Sequence, residues 1–244
     1  MGLKLSIIIP VFKGEKTLTA LYAKIIDTLS VKYDLEIIFV DDGSQDDSWK
    51  VIRHLQLGNT GGIKGYRLNR NYGQHEALLF GIRQATGQYI ITMDEDMQHD
   101  PQYIPEMLSF MIERNLDVLY AKFREYRRSS LHKMESGLVR KIAVILIPGV
   151  NRDYSPYRII RGEIAENLQY VGRTVFLDAI LGRVTSRMGS YSIEQREGGR
   201  PSSYSSFKKI LLASSIIASH IRLFPGSGSA KKHTNPEVIE SVSI

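Results

Sequence analysis

The sequence predicts an α/β protein, a mostly parallel sheet with helices on both faces. Strand-length apolar runs alternate with segments of helical period through the first half of the chain. Acidic and glycine-bearing segments follow those runs, at the carboxyl ends of the predicted strands, where open α/β sheets bind ligands. The chain has 244 residues, 43% of them hydrophobic, enough for one large α/β domain or for one domain with a smaller appendage.

The elements follow in order. Leu5 to Val11 is an apolar run, Leu18, Leu21, Ile25, Ile26 and Leu29 recur at helical spacing, and Leu35 to Val40 is apolar again, which makes a β-α-β unit. Helices are expected at Ser48 to Leu57, Gln74 to Ala85 and Pro101 to Arg114, and strands at Lys64 to Leu68, Gln88 to Met93 and Leu116 to Ala121. From Lys122 on the alternation fades. An apolar stretch from Ile142 to Ile147 ends at Pro148-Gly149, and Phe207 to Leu223 has an apolar middle with basic ends; both read as amphipathic helices too short to span a bilayer. The expected organisation is residues 1–121 as an α/β part, 122–225 as a second part with amphipathic helices, and a disordered tail over 226–244, rich in Ser, Gly, Lys and Glu.

Composition narrows the chemistry. The chain has no cysteine, which excludes disulfides, thiolate metal sites and a cysteine nucleophile. Lys4 leads straight into a strand, too short a start for a signal-peptide core, so a cytoplasmic location is expected. The net charge of +6 divides unevenly, with −4 over residues 1–120 and +10 over residues 121–244. A basic half suits an anionic substrate or an anionic membrane. It carries no aromatic-interleaved basic motif, so nucleic acid is not expected as a partner.

Asp94-Glu95-Asp96-Met97-Gln98 directly follows the run Tyr89 to Met93. At the end of that strand Asp94 and Asp96, at i and i+2, project to one side, and such a pair suits Mg²⁺ or Mn²⁺ shared with substrate phosphates. The same acids would also serve to cap the following helix. Asp41 and Asp42 end another strand ahead of Gly43-Ser44, able to accept hydrogen bonds from a base or ribose, or to cap the helix before Trp49. Asn69-Arg70-Asn71-Tyr72-Gly73 precedes a helix and suits phosphate or ribose. Pro10-Val11-Phe12-Lys13-Gly14 stands where a dinucleotide-binding protein has its glycine-rich loop, which argues against an oxidoreductase.

Taken in order, Ser6 to Phe12, Val40 to Ser44, Arg70 to Gly73, Ala85 to Tyr89 and Met93 to Pro101 resemble the family 2 glycosyltransferases, inverting enzymes of the Rossmann-like GT-A fold that use nucleotide sugars. Met93 to Pro101 looks most like the polyprenyl-phosphate sugar synthases, including dolichyl-phosphate mannosyltransferase. Tyr154 to Ile160 looks like the family's Gly-x-Phe-Arg-Leu segment, and Arg196 to Tyr204 like its Arg-x-x-Gly-x-Ser-Lys-Tyr segment, with an extra Pro201 and Ser203 for lysine. The resemblance implies that Asp94, Asp96 and Gln98 hold Mg²⁺ or Mn²⁺ against the diphosphate of a UDP or GDP sugar. It implies that Pro10, Asp41, Asp42, Asn71 and Asp94 bind the donor, and that Arg196 acts with Asp94 and Asp96 in catalysis by reaching phosphate. Arg124, Arg127, Arg128 and Ser202 would take the phosphate of a polyprenyl acceptor, with the protein peripheral on the inner membrane face and bound to anionic lipid. The amphipathic stretches equally suit packing in a homo-oligomer. The alternatives are a saccharide acceptor in capsule or lipopolysaccharide assembly, and a nucleotide-sugar-binding protein without turnover.

Overall fold

The computed structural model describes residues 2–58, 62–124, 149–168, 176–194 and 236–243. Its strands are β1 (Lys4–Val11), β2 (Asp34–Asp41), β3 (Ile63–Leu68), β4 (Tyr89–Thr92), β5 (Val118–Arg124), β6 (Arg158–Arg161), β7 (Met188–Glu194) and β8 (Val238–Ser243). Its helices are α1 (Leu18–Leu29), α2 (Ser48–Leu57), α3 (Gln74–Gln84), α4 (Ile104–Glu113), α5 (Gly162–Ala165) and α6 (Leu177–Val184), with a 3₁₀ turn at Pro101–Tyr103 leading into α4.

The strands form one sheet in the order β7-β5-β6-β4-β1-β2-β3-β8. Parallel pairing joins β4, β1, β2 and β3, and also β5 and β7, whereas β6 runs antiparallel to both β4 and β5, and β8 antiparallel to β3. The sheet is therefore mixed, with its parallel core on β4-β1-β2-β3. Period-two alternation sorts the side chains onto two faces. Ile7, Ile9, Phe39 and Ile91 pack with Leu21, Trp49 and Met107 from α1, α2 and α4. Ile8, Ile38, Val40 and Ile90 pack with Leu78, Ile82 and Leu177 from α3 and α6. Strands buried on both faces read as continuous apolar runs, which is why Ile7-Ile8-Ile9 is unbroken.

Two expectations are corrected. The tail expected to be disordered contributes β8, an edge strand paired from Lys64↔Ser243 to Leu68↔Val238. Glu237, Glu240, Ser241 and Ser243 make the segment read as a polar tail, and edge strands tolerate such residues. The boundary expected at 121/122 falls inside β5, and β6 and β7, from the second part, join the same sheet. The helix expected over Phe207 to Leu223 and the stretch Ile142 to Ile147 lie outside the described residues.

At the amino end of β4, buried Glu36 ties three strands together. It accepts from Ser6 Oγ, from Lys64 Nζ at 2.6 Å, and from Thr86 N and Oγ1 at 2.9 and 3.0 Å. A Cβ on Gly87 would lie 2.6 Å from Ser6 N, so only glycine lets this turn close onto β1. Ala85-Thr86-Gly87 is thus a fastening at the end of the sheet opposite the strand-end acids.

Candidate nucleotide-sugar site

The carboxyl ends of β1, β2, β3 and β4 lie together, and the segments singled out in the sequence converge there in two clusters. On the first side is a cavity of about 490 Å³ lined by Phe12, Lys13, Gly43 to Gln45, Arg67 to Asn71 and Ile239. Gly43 has φ of +70°, and a Cβ there would come within 2.6 Å of Arg70 C, so the loop after β2 touches the loop after β3 only because it carries glycine. Lys13, Arg67 and Arg70 give the lining a positive cast, and Phe12 is 43% exposed at its edge.

Asp41 stands behind this wall. Its Oδ1 accepts from Ser44 N at 3.0 Å, and its Oδ2 ion-pairs with Arg67 Nε at 3.4 Å without accepting a hydrogen bond. Burial raises its pKa. Asp42 is committed to the backbone, its two oxygens accepting from Tyr72 N at 2.7 Å and Gly73 N at 2.8 Å, so it fastens the amino end of α3. Pro10 lies within β1 opposite Val40, and Asn71 lines the cavity.

The second cluster is the acid loop after β4. β4 stops at Thr92, and Met97 has φ of +67°, so Asp94 and Asp96 sit in a turn and the period-two argument does not place them. Asp96 Oδ1 accepts from Gln98 N at 3.1 Å. Asp94 Oδ1 accepts from Gln74 Nε2 on α3. Burial, and then the like charge of Asp96, pushes the Asp94 pKa up to about 7. Glu95 is also raised to about 7, chiefly by burial, and its Cγ packs against the loop after β1, 3.0 Å from where a Cβ on Gly14 would lie. That contact joins the acid loop to the edge of the cavity.

Below the loop, buried His99 accepts from Asp94 N at 2.9 Å through Nδ1. The ring stacks on Tyr157 at 5.0 Å and Phe123 at 5.7 Å, and burial lowers its pKa to about 4, so it is a neutral acceptor. Asp100 caps the 3₁₀ turn through Gln102 N at 3.1 Å and pairs with Lys24 Nζ at 2.8 Å. Arg158 on β6, buried, ion-pairs with Asp178 of α6 and lies beside the Tyr120 ring, 5.7 Å from its centroid. Its charge offsets part of the Asp94 shift.

Sequence reasoning missed Gln74, His99 and Arg158 as supports of the acid loop, and Lys13, Arg67 and Ile239 as cavity lining. Arg158 was within reach, since it lies in the segment Tyr154 to Ile160; Ile239 carried no signal. Arg127, Arg128, Arg196 and Ser202 lie outside the described residues, and Arg124 is described in its backbone alone, paired with Glu194. Among the described residues no group of three or more His, Cys, Asp or Glu side chains could hold a metal ion, and no helix is long and apolar enough to cross a membrane.

Solved structures share this architecture. Glucosyl-3-phosphoglycerate synthase from Mycobacterium tuberculosis, solved with Mn²⁺, UDP and glucosyl-3-phosphoglycerate, is similar over 93% of this chain and 82% of its own, with a TM-score of 0.64 and 18% identity. S. aureus TarS 1–349 with UDP-GlcNAc is similar over 90% of this chain and 66% of its own, with a TM-score of 0.57 and 20% identity. Among curated relatives, the undecaprenyl-phosphate 4-deoxy-4-formamido-L-arabinose transferase of Aeromonas hydrophila is 37% identical over 139 residues, covering 56% of this chain and 42% of the relative. Its namesake from Yersinia pestis is 31% identical over 243 residues, covering 93% of this chain and 72% of the relative. The family model for glycosyl transferase family 2 matches residues 6–170, from the middle of β1 past α5. The chain belongs to glycosyl transferase family 2, the nucleotide-sugar-dependent glycosyltransferases of GT-A type.

Proposed function

We propose that this protein transfers a sugar, with inversion, from a UDP-type nucleotide sugar to a saccharide hydroxyl of the kind met in capsule or lipopolysaccharide assembly. The observation that carries the donor half is the juxtaposition of a cationic cavity with the acid loop at one end of the parallel strands. In this reading Lys13 and Arg70 draw in the diphosphate, while Phe12 offers an apolar surface to the base. Asn71 and the backbone next to Pro10 complete the pocket. Asp41 reads the base with Oδ2, the atom that accepts no hydrogen bond. Asp42 serves by holding the Tyr72-Gly73 turn. Arg196 reaches phosphate.

The acid loop fits Mg²⁺ or Mn²⁺. Asp94 and Asp96 repel each other in a half-buried turn, and two carboxylates with the Gln98 amide oxygen make a hard-oxygen set that leaves positions for water and phosphate. When bound there, the ion would neutralise charge on the leaving diphosphate, a contribution of several kcal/mol. The protein's own part is to hold the two carboxylates through Gln74 and His99 and to keep His99 neutral.

The acceptor divides two readings. A hydroxyl nucleophile needs a base, and Glu95 is a third carboxylate beside the pair, packed against Gly14 in the loop after β1. Polyprenyl phosphate, already anionic, needs none. The second reading draws on the curated relatives, whose names give undecaprenyl phosphate as acceptor. It would use Arg124, Arg127, Arg128 and Ser202 at the cytoplasmic membrane face. Incubation with labelled donor, Mn²⁺ and either acceptor separates the two: a water-soluble product that Glu95→Gln abolishes supports the hydroxyl acceptor. Product that extracts into organic solvent and survives Glu95→Gln overturns it in favour of the lipid.

A further inference from the structure

β8 lies beyond the residues matched by the family model, yet it forms the edge of the sheet beside the cavity. Three contacts tie it to the donor pocket. Ile239, 56% exposed, lines the cavity opposite the loops after β1 and β2. Glu240 accepts from Trp49 Nε1 at 2.7 Å and from Arg67 Nη1 at 3.0 Å. Asn69 is bonded twice to Glu237, N to O at 2.9 Å and Nδ2 to Oε2 at 2.7 Å.

Arg67 is the hinge of the arrangement. Its guanidinium spans Asp41 Oδ2 at 3.4 Å and Glu240 Oε1 at 3.0 Å, and Nη2 donates to Ser44 O at 3.3 Å. Without Glu240 the arginine has one carboxylate left, the buried Asp41, and would close over the one oxygen of that acid that accepts no hydrogen bond. With Glu240 in place Arg67 is drawn outward, toward β8. The side chains that surround this guanidinium are thus split between the first loops of the fold and a strand more than 170 residues later in sequence.

We infer that β8 is a specificity element of the donor site: Ile239 forms a wall against the nucleobase, and Glu240 is a positioning residue that sets Arg67 relative to Asp41. The inference rests on the reading of the cavity as a nucleoside diphosphate site. Its ligand class is the base and ribose end of the donor, not the sugar.

Trp49 is the single tryptophan of the chain and is bonded to Glu240, so its fluorescence reports on this corner. The unaltered protein, Ile239→Ala and Glu240→Gln are titrated with UDP, GDP and CDP, and with pyrophosphate as a probe that lacks base and ribose, by Trp49 fluorescence and by calorimetry. Thermal melting checks that each variant is folded. The expected result is saturable binding of one nucleoside diphosphate to the unaltered protein. Each variant should weaken it about fivefold and reduce discrimination among the three bases, with pyrophosphate affinity unchanged. Unaltered affinity and base preference in both variants would overturn the role of β8 while leaving the donor site standing. Equal weakening toward nucleotides and pyrophosphate would make β8 a merely structural edge and also overturn it. Absence of nucleotide binding by the unaltered protein would remove the donor-site reading itself.

Discussion

The cavity side and the acid loop are built from the same motif, a loop after a parallel strand, but are fixed by opposite means. On the cavity side the fixing groups are charged. Asp41, Asp42 and Glu240 hold Arg67 and three backbone N–H groups, and a glycine lets two loops touch. In the acid loop the fixing groups next to Asp94 are neutral, the Gln74 amide and the His99 imidazole. The difference teaches what each side has left over. Cations line the cavity and suit an anionic ligand. The acid loop keeps two carboxylates whose charges no adjacent arginine or lysine cancels by hydrogen bonding among the described contacts, and this suits a cation.

The comparison can be broken most sharply at Asp94. Asp94→Asn keeps the Gln74 contact in shape but removes the charge, and turnover should fall by about a thousandfold, equivalent to about 4 kcal/mol. Binding of nucleoside diphosphate measured without metal should change little. Loss of metal-free nucleotide binding would show that the two sides are one site, not two.

The support beneath the acid loop is next. Asp178→Asn leaves Arg158 buried with its partner weakened, and urea unfolding should show a loss of about 3–5 kcal/mol. Loss below 1 kcal/mol, about the value of an exposed pair, would mean that Arg158 is not a buried anchor. His75, half-buried on α3 near Arg158 and Asp178 with its Nδ1 shut away from solvent, has its pKa lowered by burial to about 4. The unfolded chain therefore binds the extra proton first, and stability should fall as pH drops from about 6.5 toward 4, by up to about 1.4 kcal/mol per unit. His75→Phe should flatten that slope by one group's share; an unchanged slope between those pH values would place the titration elsewhere. The smallest effect is expected at Arg70, which lines the cavity and stacks over Tyr72 at 4.8 Å. Arg70→Ala should weaken nucleotide binding by about fivefold to tenfold and leave metal affinity unchanged.

Much of the fold was legible because apolar runs such as Ile7-Ile8-Ile9 and Ile37-Ile38-Phe39 can only be strands buried on both faces. Helix periodicity in Leu18 to Leu29 supplied the layers. β8 was not legible, since Glu237 and Glu240 read as a solvated tail and their partners, Asn69, Arg67 and Trp49, are far away in sequence. The reversed direction of β6 was hidden for a similar reason: four residues carry no sign of strand polarity. In the site, residue types showed where acids would collect but not which were already spent. Asp42 reads like Asp41 in sequence, and only the loop folded back from β3 shows that both its oxygens are committed to backbone. His99 lay inside the Met93 to Pro101 resemblance with no role of its own and is a buried neutral prop.

The central claim is that the acid loop and the cavity act together on a nucleotide sugar. The most direct measurement is release of nucleoside diphosphate from a panel of UDP and GDP sugars, with acceptor and Mn²⁺, by unaltered protein and by Asp96→Ala. The account predicts metal-dependent release from one donor, absent in the variant although the variant still binds the nucleotide. Equal release by both proteins would contradict it.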